Sequence, residues 1–332
     1  MRIIGWDIGG AHIKAVKIDF IKKKSKTIRV YSPLWKNINN LKKSIKLIKK
    51  KLGKTDYHGL VMTAELSDIF KNRKIGAKYI VKLTSSILGK KKTFFYNKKN
   101  FLKKEYALKK ASCLKSLNWH ATARHISNSF SNCILIDIGS TTTDIIPIKN
   151  KKVIAKGKND RQRLKSNELV YLGVLRSPIY AIEKKKNLIP ENFADTADIY
   201  RVLKKIPKKY DLLPTKDKKS KNKHASARRI ARVFGEDYKK NNFKKWKDIS
   251  YQIKKKHLKI LKEKINKIRK KNFSKKIPIV SAGIGDFLLK KINKKKIFSF
   301  YSKTKFIKKT DSVNCEAAIS TAILLKSFLE RK

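Results

Sequence analysis

The sequence predicts an α/β fold assembled from two copies of one half. A strand ending in a carboxylate and small residues, Arg2 to Asp7 followed by Ile8-Gly9-Gly10, recurs as Cys133 to Asp137 followed by Ile138-Gly139-Ser140. Behind each copy stands another extended segment, and an internal repeat outweighs local propensity in choosing a fold. Hydrophobic residues make up 41% of the 332 and aromatics 9%, set in strand and helix periods, which is enough apolar material for one large domain or two modest ones.

In chain order, Arg2 to Asp7 reads as a strand, and Ile13 to Ile18 alternates Ile13, Ala15 and Val16 with lysines; together they predict a hairpin around Gly9-Gly10. An extended segment near Ile28 to Tyr31, a helix from Ile38 to Leu52 and a strand from Leu60 to Met62 complete a β-β-β-α-β order. Ile75 to Leu88 has helical spacing, Thr93 to Tyr96 reads as a strand, and Asn118 to Phe130 as a helix feeding the second acid-ended strand. Thr142 to Ile148 is extended, with Lys152 to Gly157 as its expected partner. Residues 195–206 and 226–234 read as short helices, separated by a lysine-rich polar loop from Pro214 to His224. Ile249, Ile253, Leu258, Leu261, Ile265 and Ile268 recur three to five apart, so Trp246 to Ile268 is expected to be a long amphipathic helix. Ile277 to Val280 is a buried-type strand running into Ser281-Ala282-Gly283-Ile284-Gly285-Asp286, where a helix should open. Val313 to Leu329 closes the chain as a helix whose Ala317, Ala318 and Ala322 permit close packing, with no separate inserted domain.

The 86 Lys and Arg against 24 Asp and Glu give a formal net charge of +62. Lysine is spread over nearly every segment, whereas a dedicated nucleic-acid binder gathers its charge on one face or tail. Compositional drift is the reading this favours, with no membrane partner and no nucleic-acid role beyond non-specific attraction. The apolar runs are far shorter than the roughly 18 residues that span a bilayer, and Met1 to Asp7 lacks the core of a secretory signal, so a cytoplasmic protein is expected. Cys113, Cys133 and Cys315 are too few and scattered for a disulfide framework and are expected as small buried hydrophobes.

The residues that carry chemistry sit at the strand ends. Asp7, Gly9 and Gly10 recur as Asp137, Gly139, Ser140, Thr141, Thr142, Thr143 and Asp144. Glycines let backbone N–H groups approach an anion, and the hydroxyls add donors. Carboxylates beside phosphate oxygens would repel them, so Asp7, Asp137 and Asp144 are expected to hold a divalent metal or position a water. Gly283 and Gly285, after a buried strand, form a third turn of the kind that contacts a diphosphate. Glu65 is a base or metal ligand on one reading and a capping or surface carboxylate on the other. Arg73, Arg161 and Arg176 stand out in a lysine-dominated chain as planar forks for a substrate anion or for structural ion pairs. His120 and His125, five apart, diverge too far around a helix to share a metal, and Trp119 reads as core.

In this order the three motifs resemble the phosphate-1, phosphate-2 and nucleotide-side motifs of the actin, hexokinase and heat-shock ATPase superfamily. That resemblance implies two facing ribonuclease-H-like lobes with a central cleft, lobe I over residues 1–130 completed by a C-terminal helix at 313–330, and lobe II over 131–312. It narrows on Met62 to Arg73, Asn118 to Ala123, Asp137 to Ile148, Asp160 to Arg176, Ala225 to Arg229 and Ser281 to Gly285. These segments are similar to the hydantoinase A/oxoprolinase-like proteins of tetrahydromethanopterin-linked one-carbon transfer. The resemblance implies methanofuran-type cofactor biosynthesis, in which a phenolic oxygen of a glutamylated tyramine or tyrosine displaces diphosphate from a furanmethyl diphosphate. It implies Mg²⁺ and a base drawn from Glu65, Asp7 and Asp137, and it leaves ATP open, since Ser140 stands where many of the superfamily's ATPases have glycine. The rivals are an ATP-dependent hydrolase or small-molecule kinase of the same fold and, from another class, a basic nucleic-acid-binding protein. Oligomeric state is left open.

Overall fold

The computed structural model describes residues 1–183, 187–291, 297–304, 307 and 314–331. The chain divides into two compact units, one of Met1–Asn132, Ile148–Val153 and Ser299–Lys332, the other of Cys133–Pro147 and Ile154–Phe298.

In the first unit β1 (Arg2–Ile8), β2 (His12–Asp19), β3 (Lys24–Tyr31), β4 (Tyr57–Met62), β5 (Thr93–Tyr96) and β6 (Phe101–Leu102) form one sheet in the order β3-β2-β1-β4-β5-β6. The β1–β2 hairpin is antiparallel with Asp7 opposite Lys14, while β1–β4 and β4–β5 are parallel. From Ile3 to Ile8 every residue of β1 is buried, the mark of a strand covered on both faces. One cover is α1 (Asn39–Leu52) and α2 (Arg73–Leu88), whose Leu41, Ile45, Ile48, Ile80 and Val81 join Ile4, Trp6 and Ile8 in a single apolar cluster. The short α3 (Lys104–Lys109) and α4 (Asn118–Ser127) follow. The other cover is the last helix, α9, which runs Glu316–Leu329; Val313, its expected start, lies outside the described residues.

Contact with α9 is close because Gly5 has no side chain, as the alanines of that helix led us to expect. A Cβ at Gly5 would stand 1.9 Å from the carbonyl oxygen of Ala318 and 2.8 Å from the nitrogen of Ala322. Neither backbone atom can move without shifting the helix. Gly5→Ala is therefore expected to destabilise the unit by about 1–3 kcal/mol or more, read as a lowered unfolding midpoint. Two buried histidines are hydrogen-bonded core residues: Trp6 Nε1 donates to His58 Nδ1 at 3.1 Å, and the Tyr96 hydroxyl lies 2.9 Å from His120 Nδ1, whereas neither ring nitrogen of the buried His125 has a hydrogen-bond partner. Trp119 is buried, as are Cys133 and Cys315, but Cys113 is exposed, contrary to expectation.

The second unit repeats the sheet. β7 (Cys133–Ile138), β8 (Thr143–Lys149), β10 (Leu169–Val170), β11 (Ile279–Ala282) and β12 (Ile297–Ser299) run in the order β10-β8-β7-β11-β12; β9 (Lys152–Val153) pairs off that path with Ile148 and Lys149 at the end of β8, within the Ile148–Val153 piece of the first unit. Strands β7, β8, β10 and β11 thus hold the places of β1, β2, β3 and β4, and β7–β11 is parallel like β1–β4. Of the expected 152–157 partner, Lys152 and Val153 form a strand against β8 and Ile154 N donates to Pro147 O of β8 at 3.1 Å. Around this sheet lie α5 (Asp160–Lys165), α6 (Thr196–Val202), α7 (Lys223–Val233) and α8 (Phe243–Asn272). α8 buries Trp246, Ile253, Leu261, Ile265 and Ile268, and of its lysines Lys254 is buried with them; Ile249 and Leu258 flank that stripe half-buried. Arg201 and Arg229 both donate to Asp198 Oδ1, at 2.9 and 2.8 Å, which ties α6 to α7. After Gly285 the chain forms a 3-10 turn, Asp286–Lys291, in place of the expected α-helix. No helix among the described residues is long and apolar enough to cross a membrane.

Candidate active site

Each sheet ends its acid-bearing strand in the same turn. Gly9 N donates to His12 O at 3.1 Å, and Gly139 N to Thr142 O at 2.9 Å, so Asp7 and Asp137 occupy equivalent places. In each unit the segment after the parallel neighbour strand closes on the residue following the acid: Thr63 N donates to Ile8 O at 2.9 Å, and Gly285 N to Ile138 O at 2.9 Å. A third segment clamps the turn from the far side, Leu34 N donating to Gly10 O at 2.9 Å and Arg176 N to Ser140 O at 2.9 Å. The duplication read from two short motifs thus extends to the loops that hold them.

At the first turn Asp7 is 3% exposed. Its Oδ2 accepts from Lys14 Nζ at 3.1 Å, and Lys14 also donates to Asn314 Oδ1 at 3.4 Å. Oδ1 of Asp7 is buried without a hydrogen-bond partner. A buried carboxylate oxygen left open costs free energy unless a cation, a water or a substrate proton fills it. Gly10 lies beside Ser67, whose Oγ would be 3.6 Å from a Cβ there.

Glu65 sits in the short turn Ala64–Leu66 after β4 and is only 1% exposed, so the surface reading does not hold. Its Oε1 accepts from Ser116 Oγ at 2.8 Å, while Oε2 is buried with no partner. Burial raises its pKa above the usual carboxylate range, against the pull of Ser116 and the more distant positive charge of Arg73. Ser116 adopts φ +52°, a conformation that L-residues other than Asn and Asp rarely take, and it holds its hydroxyl on the glutamate. Arg73 itself is exposed in the first turn of α2.

At the second turn Asp137 is half-buried under Gly283. Gly283 has φ +78°, and a Cβ there would come within 2.4 Å of Asp137 Oδ1 and of Ile138 O. Gly173 lies equally close on the other side, its missing Cβ 2.5 Å from the carbonyl carbon of Ser140. Both glycines are there because backbone meets backbone. Gly283→Ala is expected to cost about 1–3 kcal/mol through strain and overlap and to displace Asp137, so activity should fall more steeply than the denaturation midpoint; parallel assays of both check it. Ser140, Thr141 and Thr142 remain half-buried on the turn, and Arg176, whose backbone N–H clamps Ser140 O, is exposed.

Two expectations need correction. Asp144 is not placed for a metal: its Oδ1 accepts from Arg163 at 2.8 Å, and Arg163 also donates to Glu168 O at 2.9 Å. Thr143 is fully buried and donates its hydroxyl to Leu172 O at 2.7 Å, locking the hairpin and leaving no donor for a ligand. Arg161 stands exposed on α5, whose buried cation is Arg163. Lys14 and Ser116, both missed from sequence, are the additions. Lys14 follows Asp7 at the spacing with which Asp144 follows Asp137. The repeat itself pointed to the position, with the opposite charge.

The described residues hold no group of three or more His, Cys, Asp or Glu able to cage a metal ion. Mg²⁺ does not require such a cage, since it keeps waters and is usually bound through one or two carboxylates together with substrate phosphates. The open Oδ1 of Asp7 fits that role, Asp137 holds the corresponding place in the second turn, and the Arg163-paired Asp144 does not fit.

Comparison with known proteins extends this picture. The chain is 35% identical over 299 residues, 87% of its length and 88% of the relative's, to the (4-{4-[2-(gamma-L-glutamylamino)ethyl]phenoxymethyl}furan-2-yl)methanamine synthase of Methanocaldococcus jannaschii. It is 35% identical over 216 residues to the synthase of the same name from Methanococcus vannielii, covering 62% of this chain and 96% of that one. A ROK family glucokinase from Streptomyces griseus, solved with glucose and AMPPNP, superposes with a TM-score of 0.53 over 98% of this chain and all of its own at 11% identity, which shows the fold alone. That fold is the one shared by actin-like ATPases and sugar kinases. Residues 56–322 match the hydantoinase/oxoprolinase family model, and with the turns and relatives above, the chain belongs to the hydantoinase/oxoprolinase family.

Proposed function

We propose that the chain is a transferase of methanofuran-type cofactor biosynthesis, forming an aryl-alkyl ether between a furanmethyl diphosphate and the phenol of a glutamylated tyramine or tyrosine. The observation that carries this reading is the 35% identity over 87% of the chain to a synthase whose name specifies a phenoxymethyl-furan product. In the reaction the phenolic oxygen forms a bond to the furanmethyl carbon, the carbon–oxygen bond to diphosphate breaks with its electron pair leaving on diphosphate, and the phenol proton passes to a base.

Glu65 is assigned as that base. Its open Oε2 can take the proton, and its raised pKa brings it nearer to a phenol of about 10. Ser140, Thr141, Thr142 and Arg176, with the glycine turns, are assigned to the diphosphate, whose charge grows as the bond breaks. Lys14 is assigned to hold Asp7 in place and to add positive charge beside the first turn. Asp7, with its open Oδ1, would hold Mg²⁺, which would supply charge neutralisation to the leaving group.

The test is incubation of the purified protein with Mg²⁺, an aminomethylfuranmethyl diphosphate and γ-glutamyltyramine, following ether and diphosphate by mass spectrometry, with a parallel arm containing ATP. Ether formed without ATP is the expected result. ADP formed in place of ether would move the chain to the family's ATP-dependent hydrolases and overturn the proposal.

A further inference from the structure

Asp7 stands near the end of β1; at the start of that strand the first unit holds a concavity of about 1150 Å³. Six lysines line it: Lys42, Lys46, Lys49, Lys50, Lys54 and Lys92. The lining carboxylate is Asp56, already taken by Arg2 through a backbone hydrogen bond of 2.7 Å and a side-chain pair at 3.3 Å. Arg2 and Asp56 thus cancel, and the lysines keep their excess. Lys42, Lys46, Lys50 and Lys54 follow at four-residue steps down α1 and past its end, a spacing at which like charges on a helix repel. The negative end of the α1 dipole accommodates cations in the last turn, such as Lys49 and Lys50. It does not account for Lys42 and Lys46 upstream, or for Lys92 from a separate segment.

His58 lines the same cavity and is 3% exposed. Because Trp6 Nε1–H donates to its Nδ1, the neutral ring carries its proton on Nε2. Burial and the charges of Lys49 and Lys92 hold its pKa at about 3, so the ring remains a neutral N–H donor at physiological pH. Scattered lysine on convex faces is solvated; in a concavity with low-dielectric walls the same charges focus their field. We propose that this cavity binds a small polyphosphate, inorganic or carried by a nucleoside, held by the ammonium groups with the His58 N–H beneath. The site shares no residue with the Asp7 turn and does not depend on the synthase reading.

The test is calorimetric titration of the full chain with sodium tripolyphosphate, and separately with ATP, at about 0.15 M salt. A triple variant, Lys46→Gln, Lys50→Gln and Lys92→Gln, is set against a charge-matched control on the exposed face of α8, Lys255→Gln, Lys259→Gln and Lys262→Gln. Wild type and control should bind one tripolyphosphate with affinities within about twofold, and the cavity variant at least about tenfold more weakly. A stronger response to tripolyphosphate than to ATP, or the reverse, identifies the source of the phosphates. Equal losses in both triple variants would reduce the effect to overall charge. Binding kept by the cavity variant but lost in Asp7→Asn would place the anion at the turn motif. Either outcome, or no saturation at one equivalent, overturns the proposal.

Discussion

Asp7→Asn is expected to lower kcat for ether formation by roughly 10²–10³-fold or more, the scale on which removal of one preorganised electrostatic group acts. The reasoning starts from the two oxygens. Oδ2 is held by Lys14, which fixes the carboxylate, and Oδ1 is left buried and open. Asparagine keeps the shape, but an amide is a far weaker ligand for a hard cation than a carboxylate and removes the negative charge that Lys14 faces at this turn. The fold should survive, because the β1–β2 register and the packing of Trp6 and Ile8 do not use the carboxylate. Circular dichroism and the unfolding midpoint check the fold, and single-turnover kinetics check the chemistry. Activity within about tenfold of wild type at an unchanged midpoint would remove Asp7 from the machinery.

Glu65→Gln is expected to cut kcat by about 10²–10⁴-fold, the usual contribution of a positioned base, and to make the protein more stable at neutral pH. Burial raises the folded-state pKa of Glu65 above its unfolded value. Between those two values the folded chain holds a proton that the unfolded chain has released, so stability falls as pH rises through the window. Glutamine carries no charge to desolvate, and its carbonyl still accepts from Ser116, so the fall disappears. Urea titrations of wild type and variant at pH 4 and pH 8 should therefore diverge at the higher pH, with the variant the more stable. The same raised pKa predicts that wild-type kcat/KM climbs with pH through a midpoint above the ordinary glutamate value of about 4.3, and that the variant loses this limb. A variant that is inactive but shows no gain in stability at pH 8 would mean that Glu65 is not the buried acid described.

The second prediction turns on information that sequence carries poorly. Glu65 stands in a stretch with no periodicity, and its burial depends on Gly76 of α2, which lets the helix approach to within 3.0 Å of the Glu65 Cα from an ideal Cβ position, and on Ser116 reaching it from 51 residues away. Nothing local to Glu65 distinguishes a buried base from a surface carboxylate. Asp144 shows the converse. It matched its motif, yet the partner that removes it from metal binding is Arg163, 19 residues on, while the arginine that stood out in sequence was Arg161. On α5 these two positions face opposite ways, and the turn of the helix decides which cation is buried.

What the sequence by itself determined is the set of features written in local pattern. Alternation and apolar runs set the strands, three-to-five spacing set α1, α2 and α8, and a repeated acid-glycine strand end revealed two equivalent sheets and the turns of Asp7 and Asp137. These are legible because hairpin geometry and helix periodicity involve residues adjacent in the chain. Only the tertiary structure decided which oxygen of Asp7 is open, that Glu65 is buried, that Asp144 and Thr143 are spent on the fold, and that Lys14 and Ser116 belong to the first turn's surroundings. Those outcomes depend on desolvation and on hydrogen bonds between segments far apart in sequence, and neither quantity exists until the sheets and their covering helices have packed.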